Sequence, residues 1–172
     1  MSSYVAALEA AWYTGAPWLW LLRPVEFLFR CLARTRRFLY QQGWLAVYRA
    51  GKPVVVVGNI TVGGTGKTPV VIALVEFMQA QGLRPGVVSR GYGAMAGNYP
   101  HRVTPASTAN DCGDEPLLIY KRTACPCVVD PDGAAAVKLL LSDDAVDLVI
   151  CDDGLQHYAL ARDLEIVVLG GQ

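Results

Sequence analysis

Four consecutive valines, Val54 to Val57, run almost directly into a glycine-rich turn, and that junction constrains the fold more than any other feature of the chain. The stretch Pro53–Val57 is short, β-branched and uncharged, the composition of a strand buried on both faces. The sequence GNITVGGTGKTPVVIALVEFMQAQG follows, with Val71, Leu74, Val75 and Met78 at helical spacing between Thr68 and Gln81. Strand, glycine-rich loop and helix in that order frame a phosphate-binding loop. The loop itself spans Thr61, Val62, Gly63, Gly64, Thr65, Gly66, Lys67 and Thr68, and these are the expected nucleotide-binding residues. Thr61 stands where the strict pattern has glycine; the rest of the pattern holds. Gly63, Gly64 and Gly66 let the backbone curl so that its N–H groups face a phosphate. Lys67 brings a point charge for the β- and γ-phosphates, and Thr68 offers its hydroxyl to Mg²⁺. The helix N-terminus adds its positive dipole end.

Such a loop needs acidic residues at the end of another apolar strand. Asp147–Cys151 is that strand, and Asp152 and Asp153 follow it. A parallel sheet delivers such carboxylates to its carboxyl edge, where ligands bind, so either aspartate is placed to hold Mg²⁺ directly or through water. Further strands are expected at Pro85–Ser89, Pro126–Val129 and Glu165–Leu169, with a helix over Asp132–Leu141. The alternation predicts an α/β fold of the P-loop NTPase type, a mostly parallel sheet flanked by helices. Gly93–Asp111, rich in turn formers, reads as a long surface loop. It leads to Gly113-Asp114-Glu115-Pro116, where two carboxylates follow a glycine. Phosphoryl transfer to an alcohol uses a base near the acceptor and a second acid on the metal, but the spacing fits first-turn helix acids equally well.

Before Gly51 the chain has a different character. All four tryptophans, Trp12, Trp18, Trp20 and Trp44, fall there. In VEFLFRCLARTRRFLYQQG, Glu26, Arg30, Arg34 and Arg37 share one helical face, opposite Val25, Leu28, Leu32 and Leu39, and Gly43 is a natural stop. The uncharged stretch from Ala10 to Leu22 is too short to span a bilayer and is broken by Pro17. The pattern predicts an amphipathic helical segment over residues 1–50, with residues 1–43 lying on an anionic membrane, ahead of a kinase-like core at 51–172. A helix packed on its own domain with a solvated arginine face is the other reading. Hydrophobic residues make up 53% and charged residues 17% against roughly a quarter in ordinary domains, so apolar surface with a purpose is expected. A formal net charge of zero gives no electrostatic case for nucleic acid. Five scattered cysteines without a secretory leader suit reduced thiols, and Cys125-Pro-Cys127 is one residue short of redox or zinc spacing.

Five elements occur here in a specific order: AWY, LLRP and Glu26 at the start; GNITVGGTGKTP at Gly58–Pro69; SRGYG at Ser89–Gly93; GDEP at Gly113–Pro116; and DDGLQHY at Asp152–Tyr158. In these the chain resembles the tetraacyldisaccharide 4′-kinase family, the lipid A kinases of Gram-negative bacteria. The resemblance implies ATP and Mg²⁺ as cofactors and transfer of the γ-phosphate to the 4′-hydroxyl of an acylated glucosamine disaccharide 1-phosphate. It implies a lipid-linked substrate and a peripheral place on the cytoplasmic face of the inner membrane. By the same resemblance Asp114 is the catalytic base, Glu115 a Mg²⁺ contact, and Asp152 and Asp153 the acidic pair at metal and phosphates. Arg90 and Gln156 fall at motif positions near the site, and His157 reads as a structural hydrogen-bonder. Family chains are roughly twice as long and carry a second lobe with a histidine thought to assist the base. Because this sequence stops at Gly170-Gly171-Gln172 after an apolar strand, a fragment or truncated reading frame is expected. Two other classes fit the loop: a deviant-Walker switch ATPase, against which Val62 stands where that class has lysine, and a nucleotide-binding module without turnover.

Overall fold

The computed structural model describes residues 17–59, 66–95, 97–143, 145–156 and 158–169. Expectations that rest on Trp12, Thr61–Thr65, His157 and Gly170–Gln172 lie outside the described residues. The chain divides into two compact units, Met1–Leu45 and Ala46–Gln172.

In the first unit a 3₁₀ turn, Pro17–Leu22, leads into helix α1, Arg23–Gln41. Pro24 suits the first turn, where its missing N–H leaves no bond unmade. Gly43 ends the helix in the left-handed conformation (φ 73°). The Trp44 N–H reaches back to the Leu39 carbonyl (3.0 Å) and the Gly43 N–H to that of Tyr40 (3.1 Å), satisfying carbonyls the helix leaves free. Glu26 and Arg30 pair at 2.6 Å on the charged face, and the Arg23 guanidinium stacks 4.3 Å from the Trp20 ring centroid. No residue of α1 is buried, so Val25, Leu28 and Leu32 present an uncovered apolar stripe. No described helix is long and apolar enough to cross a membrane.

The second unit is built on one six-stranded sheet. In chain order its elements are β1 (Val54–Asn59), α2 (Lys67–Ala80), β2 (Pro85–Ser89), β3 (His101–Arg102), α3 (Ala109–Cys112), α4 (Asp114–Thr123), β4 (Cys127–Val129), α5 (Gly133–Asp143), β5 (Leu148–Asp152) and β6 (Leu164–Val168). The strands lie in the order β3-β4-β2-β5-β1-β6, and every pairing is parallel except β3 with β4.

The four valines of β1 alternate between two cores. Val55 and Val57, with Val87, Val129 and Ile150, pack against Val71 and Val75 of α2 and Ile119 of α4. Val54 and Val56, with Val88, Val128 and Val149, pack against Ala136, Val137 and Leu140 of α5. A strand with helices on both faces has no polar side, which is why its sequence reads as an unbroken apolar run. Each such side chain gains about 1.5–3 kcal/mol from burial. Ile150→Val, removing one methyl from the fully buried centre of β5, is expected to cost about 1 kcal/mol in urea unfolding without changing the slope.

The structure refines the expected surface loop. Gly93–Asp111 contains the edge strand β3, and α3 begins at Ala109. Two residues of strand carry no periodicity to read. The helix start is a side-chain event, in which the Thr108 N–H and Oγ1 both donate to Asp111 Oδ2 at 2.8 and 2.7 Å.

Candidate active site

Strand order decides what meets at the carboxyl edge. β5 lies between β1 and β2, so Asp152 is paired with Val57 on one side and Ser89 on the other. Alternation along β5 puts Asp152 on the same face as Ile150, the face covered by α2. α2 starts immediately after Gly66, whose left-handed backbone (φ 76°) turns the chain into the helix, and Lys67 and Thr68 are its first residues. β1 ends at Asn59, and α2 opens with Lys67, which reaches Asp153, the residue after β5.

Asp153, the next residue, is also left-handed (φ 62°), a conformation aspartate tolerates better than most. Its N–H donates to the Val57 carbonyl (2.9 Å), fixing the turn to the end of β1. From that turn Asp153 Oδ1 accepts a hydrogen bond from Lys67 Nζ. Asp152 is the opposite case. It is 1% exposed, and among the described residues neither of its carboxylate oxygens has a hydrogen-bond partner. Burial, aided by the negative charges of Glu115 and Asp153 and opposed by Lys67, pushes its carboxyl up to about 7. A buried carboxylate left without donors is costly unless something else takes its charge.

Mg²⁺ fits that carboxylate. Its preferred donors are hard oxygens, and Asp152 supplies two on the face covered by α2, whose second residue is the half-buried Thr68. No group of three His, Cys, Asp or Glu converges among the described residues.

The second acidic pair comes from α4. Asp114 and Glu115 are its first two residues, both exposed, with their charges at the favourable end of the helix dipole. The pair is placed by a contact between two loops. A Cβ on Gly91 (φ 64°) would lie 2.1 Å from Val129 Cγ1 and 3.2 Å from the Cys112 carbonyl; one on Gly113 (φ 89°) would lie 3.2 Å from the Tyr92 carbonyl. The SRGYG segment and the start of α4 therefore touch backbone to backbone, with no room for side chains between them. Glu115 is close enough to raise the Asp152 carboxyl, which joins the two acidic pairs into one electrostatic unit. Asp114 makes no described hydrogen bond or ion pair, and its charge is felt at the Cys112 thiol.

Arg90 is exposed at the end of β2, on the same carboxyl edge. Gln156 closes a 3₁₀ turn, Gly154–Gln156, that follows β5. The sequence reading missed Asp130, the residue immediately after β4, which is 6% exposed. An apolar strand closing on aspartate was the available signal. Its Oδ1 accepts the Asp132 N–H (2.6 Å), a local turn ahead of α5. The cysteines are all unbonded; Cys125 and Cys127 Sγ lie 3.7 Å apart in the core, and burial pushes the Cys151 thiol up to about 12. A cavity of about 340 Å³ at the opposite end of β1, lined by Arg49, Lys52 and Asp163 among others, is remote from this edge.

An open, mostly parallel α/β sheet, a Gly-Lys-Thr turn opening the helix after an inner strand, and carboxylates at the end of the neighbouring strand together define a P-loop nucleotide-binding protein. Residues 18–172 match the sequence model of the tetraacyldisaccharide-1-P 4′-kinase family. The chain belongs to that family. It is 58% identical over 164 residues to the tetraacyldisaccharide 4′-kinase of Aeromonas salmonicida, covering 95% of this chain and 50% of the relative. For that of Azotobacter vinelandii the figures are 57% over 162 residues, 94% and 49%. The crystal structure of the apo form of LpxK from Aquifex aeolicus, described as in complex with ATP, superposes with a TM-score of 0.74 at 31% identity, over 85% of this chain and 47% of that one. The chain thus spans about half the length of the curated relatives it matches.

Lys67→Ala is expected to weaken ATP binding by about 10- to 100-fold in a calorimetric titration, the loss of one charge-assisted contact to phosphate. Unchanged affinity would place the phosphates elsewhere.

Proposed function

We propose that this chain corresponds to the nucleotide-binding part of an ATP-dependent kinase that phosphorylates the 4′-hydroxyl of an acylated glucosamine disaccharide 1-phosphate; its relatives are named tetraacyldisaccharide 4′-kinases. The observation that carries the reading is the buried Asp152 carboxylate, which has no hydrogen-bond partner among the described residues and feels the charge of Lys67 at the head of α2. Family membership and the ATP complex of the Aquifex aeolicus relative support it. They give no support to a switch ATPase.

In this reading residues 61–66 bind the phosphates, and Lys67 neutralises them. Asp152 and Thr68 would hold Mg²⁺, with Asp153 and Glu115 reaching it only through water, and the ion when bound would draw off the charge that develops on the phosphates. Asp114 accepts the proton of the sugar hydroxyl as it attacks. Its exposed position at the head of α4 leaves it open to an incoming acceptor. The uncovered apolar stripe of α1, with its arginine-bearing opposite face, lies on an anionic membrane surface and holds the protein at the cytoplasmic face of the inner membrane, where a lipid-linked acceptor resides.

The test is transfer of label from γ-labelled ATP to the acylated disaccharide 1-phosphate in detergent micelles with Mg²⁺. This chain is run beside the Aeromonas salmonicida relative. Label in the lipid with this chain supports the full reading. Label with the relative alone restricts this chain to nucleotide binding, and label in neither contradicts the assigned reaction.

A further inference from the structure

We infer that Asp153 is a gate on the phosphate site: without nucleotide it holds the Lys67 ammonium, and a phosphate group has to take Lys67 from it. The inference rests on the nucleotide reading above and adds to it a division of labour between two adjacent aspartates.

Asp152 and Asp153 stand on the same edge, yet only Asp153 has captured the lysine. The reason lies in the backbone. β-strand alternation turns Asp152 inward under α2, whereas the left-handed turn at Asp153, tied by its N–H to the Val57 carbonyl at 2.9 Å, aims the next carboxylate at the head of the helix. The Lys67 side chain is 12% exposed and that of Asp153 47%. The ammonium is thus largely withdrawn from solvent, while its partner carboxylate faces the side from which a ligand arrives.

A lysine held this way is pre-positioned, and it is also partly spent. A bare phosphate entering the loop meets an ammonium already neutralised, and it meets the carboxylate that neutralises it. A divalent cation changes the balance, because it gives Asp153 another partner and leaves Lys67 to the phosphates. The gate therefore discriminates against nucleotide without metal and favours the metal-loaded form. Removing the carboxylate has opposite consequences in the two cases.

The experiment compares the wild-type chain with Asp153→Asn, a substitution that keeps shape and tolerates the left-handed backbone. In the ligand-free proteins, modification of each lysine by an amine-acylating reagent is followed by mass spectrometry, with the exposed Lys52 as internal reference for intact folding. The binding of ADP is then titrated with EDTA and again with Mg²⁺. The gate predicts Lys67 acylation about 3- to 10-fold faster in the variant, Lys52 unchanged, ADP bound about 3- to 10-fold tighter with EDTA, and bound more weakly with Mg²⁺. Equal Lys67 acylation in the two proteins would overturn it, as would ADP affinities that move the same way in both conditions. If neither protein binds ADP in either condition, the nucleotide reading falls and the gate falls with it, even where the acylation rates differ.

Discussion

Asp152→Asn is expected to raise the stability of the ligand-free protein at pH 8 by about 2–4 kcal/mol, although it removes a proposed Mg²⁺ ligand. Asp152 is buried, lacks any described hydrogen-bond partner, and has its carboxyl pushed from an ordinary 3.8 up to about 7, chiefly by burial. The folded protein therefore holds that proton more tightly than the unfolded chain does. Below about pH 4 the carboxyl is protonated in both states and there is no penalty. As pH rises from about 4 to about 7 the unfolded chain ionises freely while the folded one resists, and stability falls by up to about 4 kcal/mol before levelling. An asparagine does not ionise, so the variant loses this slope. Thermal or urea unfolding of both proteins from pH 4 to pH 9, without metal or nucleotide, checks it. Parallel curves would mean that Asp152 is solvated or paired in solution. A functional site that is stabilised by disabling it is a familiar trade between activity and stability.

Asp114→Ala is expected to lower kcat about 10²- to 10⁴-fold while leaving the KM for ATP within about twofold. Asp114 heads α4, exposed and without a described hydrogen bond or ion pair, whereas Lys67, Asp153 and Glu115 are the charges felt by Asp152 at the proposed phosphate end. Its loss should therefore touch the acceptor and not the nucleotide. The assay is the labelled-phosphate transfer, made in this chain and, for the equivalent aspartate, in the Aeromonas salmonicida relative. A variant that turns over near the wild-type rate would remove Asp114 from the chemistry. A large rise in the KM for ATP would move it to the nucleotide side.

The core of the fold could be read from the sequence because its strands are buried on both faces. Val54–Val57, Pro85–Ser89 and Leu148–Asp152 are apolar runs with turn formers between them, and the strands lie within two residues of the expected places. The extension of β1 through Gly58 to Asn59 was not legible, because its pairing with Val167 and Val168 of β6 is a long-range event. β3 was invisible for the same reason, two residues recruited by the edge of β4. In the candidate site, the motif order pointed to the residues proposed, but the sequence could not say which of Asp152 and Asp153 turns inward. That follows from strand parity on one side of the Asp152–Asp153 bond and a left-handed turn on the other. Nor could it show that Gly91 and Gly113 are required by a backbone contact that sets α4, and with it Asp114, against the end of β2.

The central claim is that the edge between β1 and β5 holds a metal-bound nucleotide. Crystals grown with a non-hydrolysable ATP analogue and Mn²⁺ in place of Mg²⁺ test it most directly, because the metal can be located from its anomalous scattering. The expected result is one metal peak within coordination distance of an Asp152 oxygen and the Thr68 hydroxyl, with the phosphates over Gly66 and Lys67. A nucleotide bound elsewhere, or a metal peak that leaves Asp152 untouched, would contradict the account.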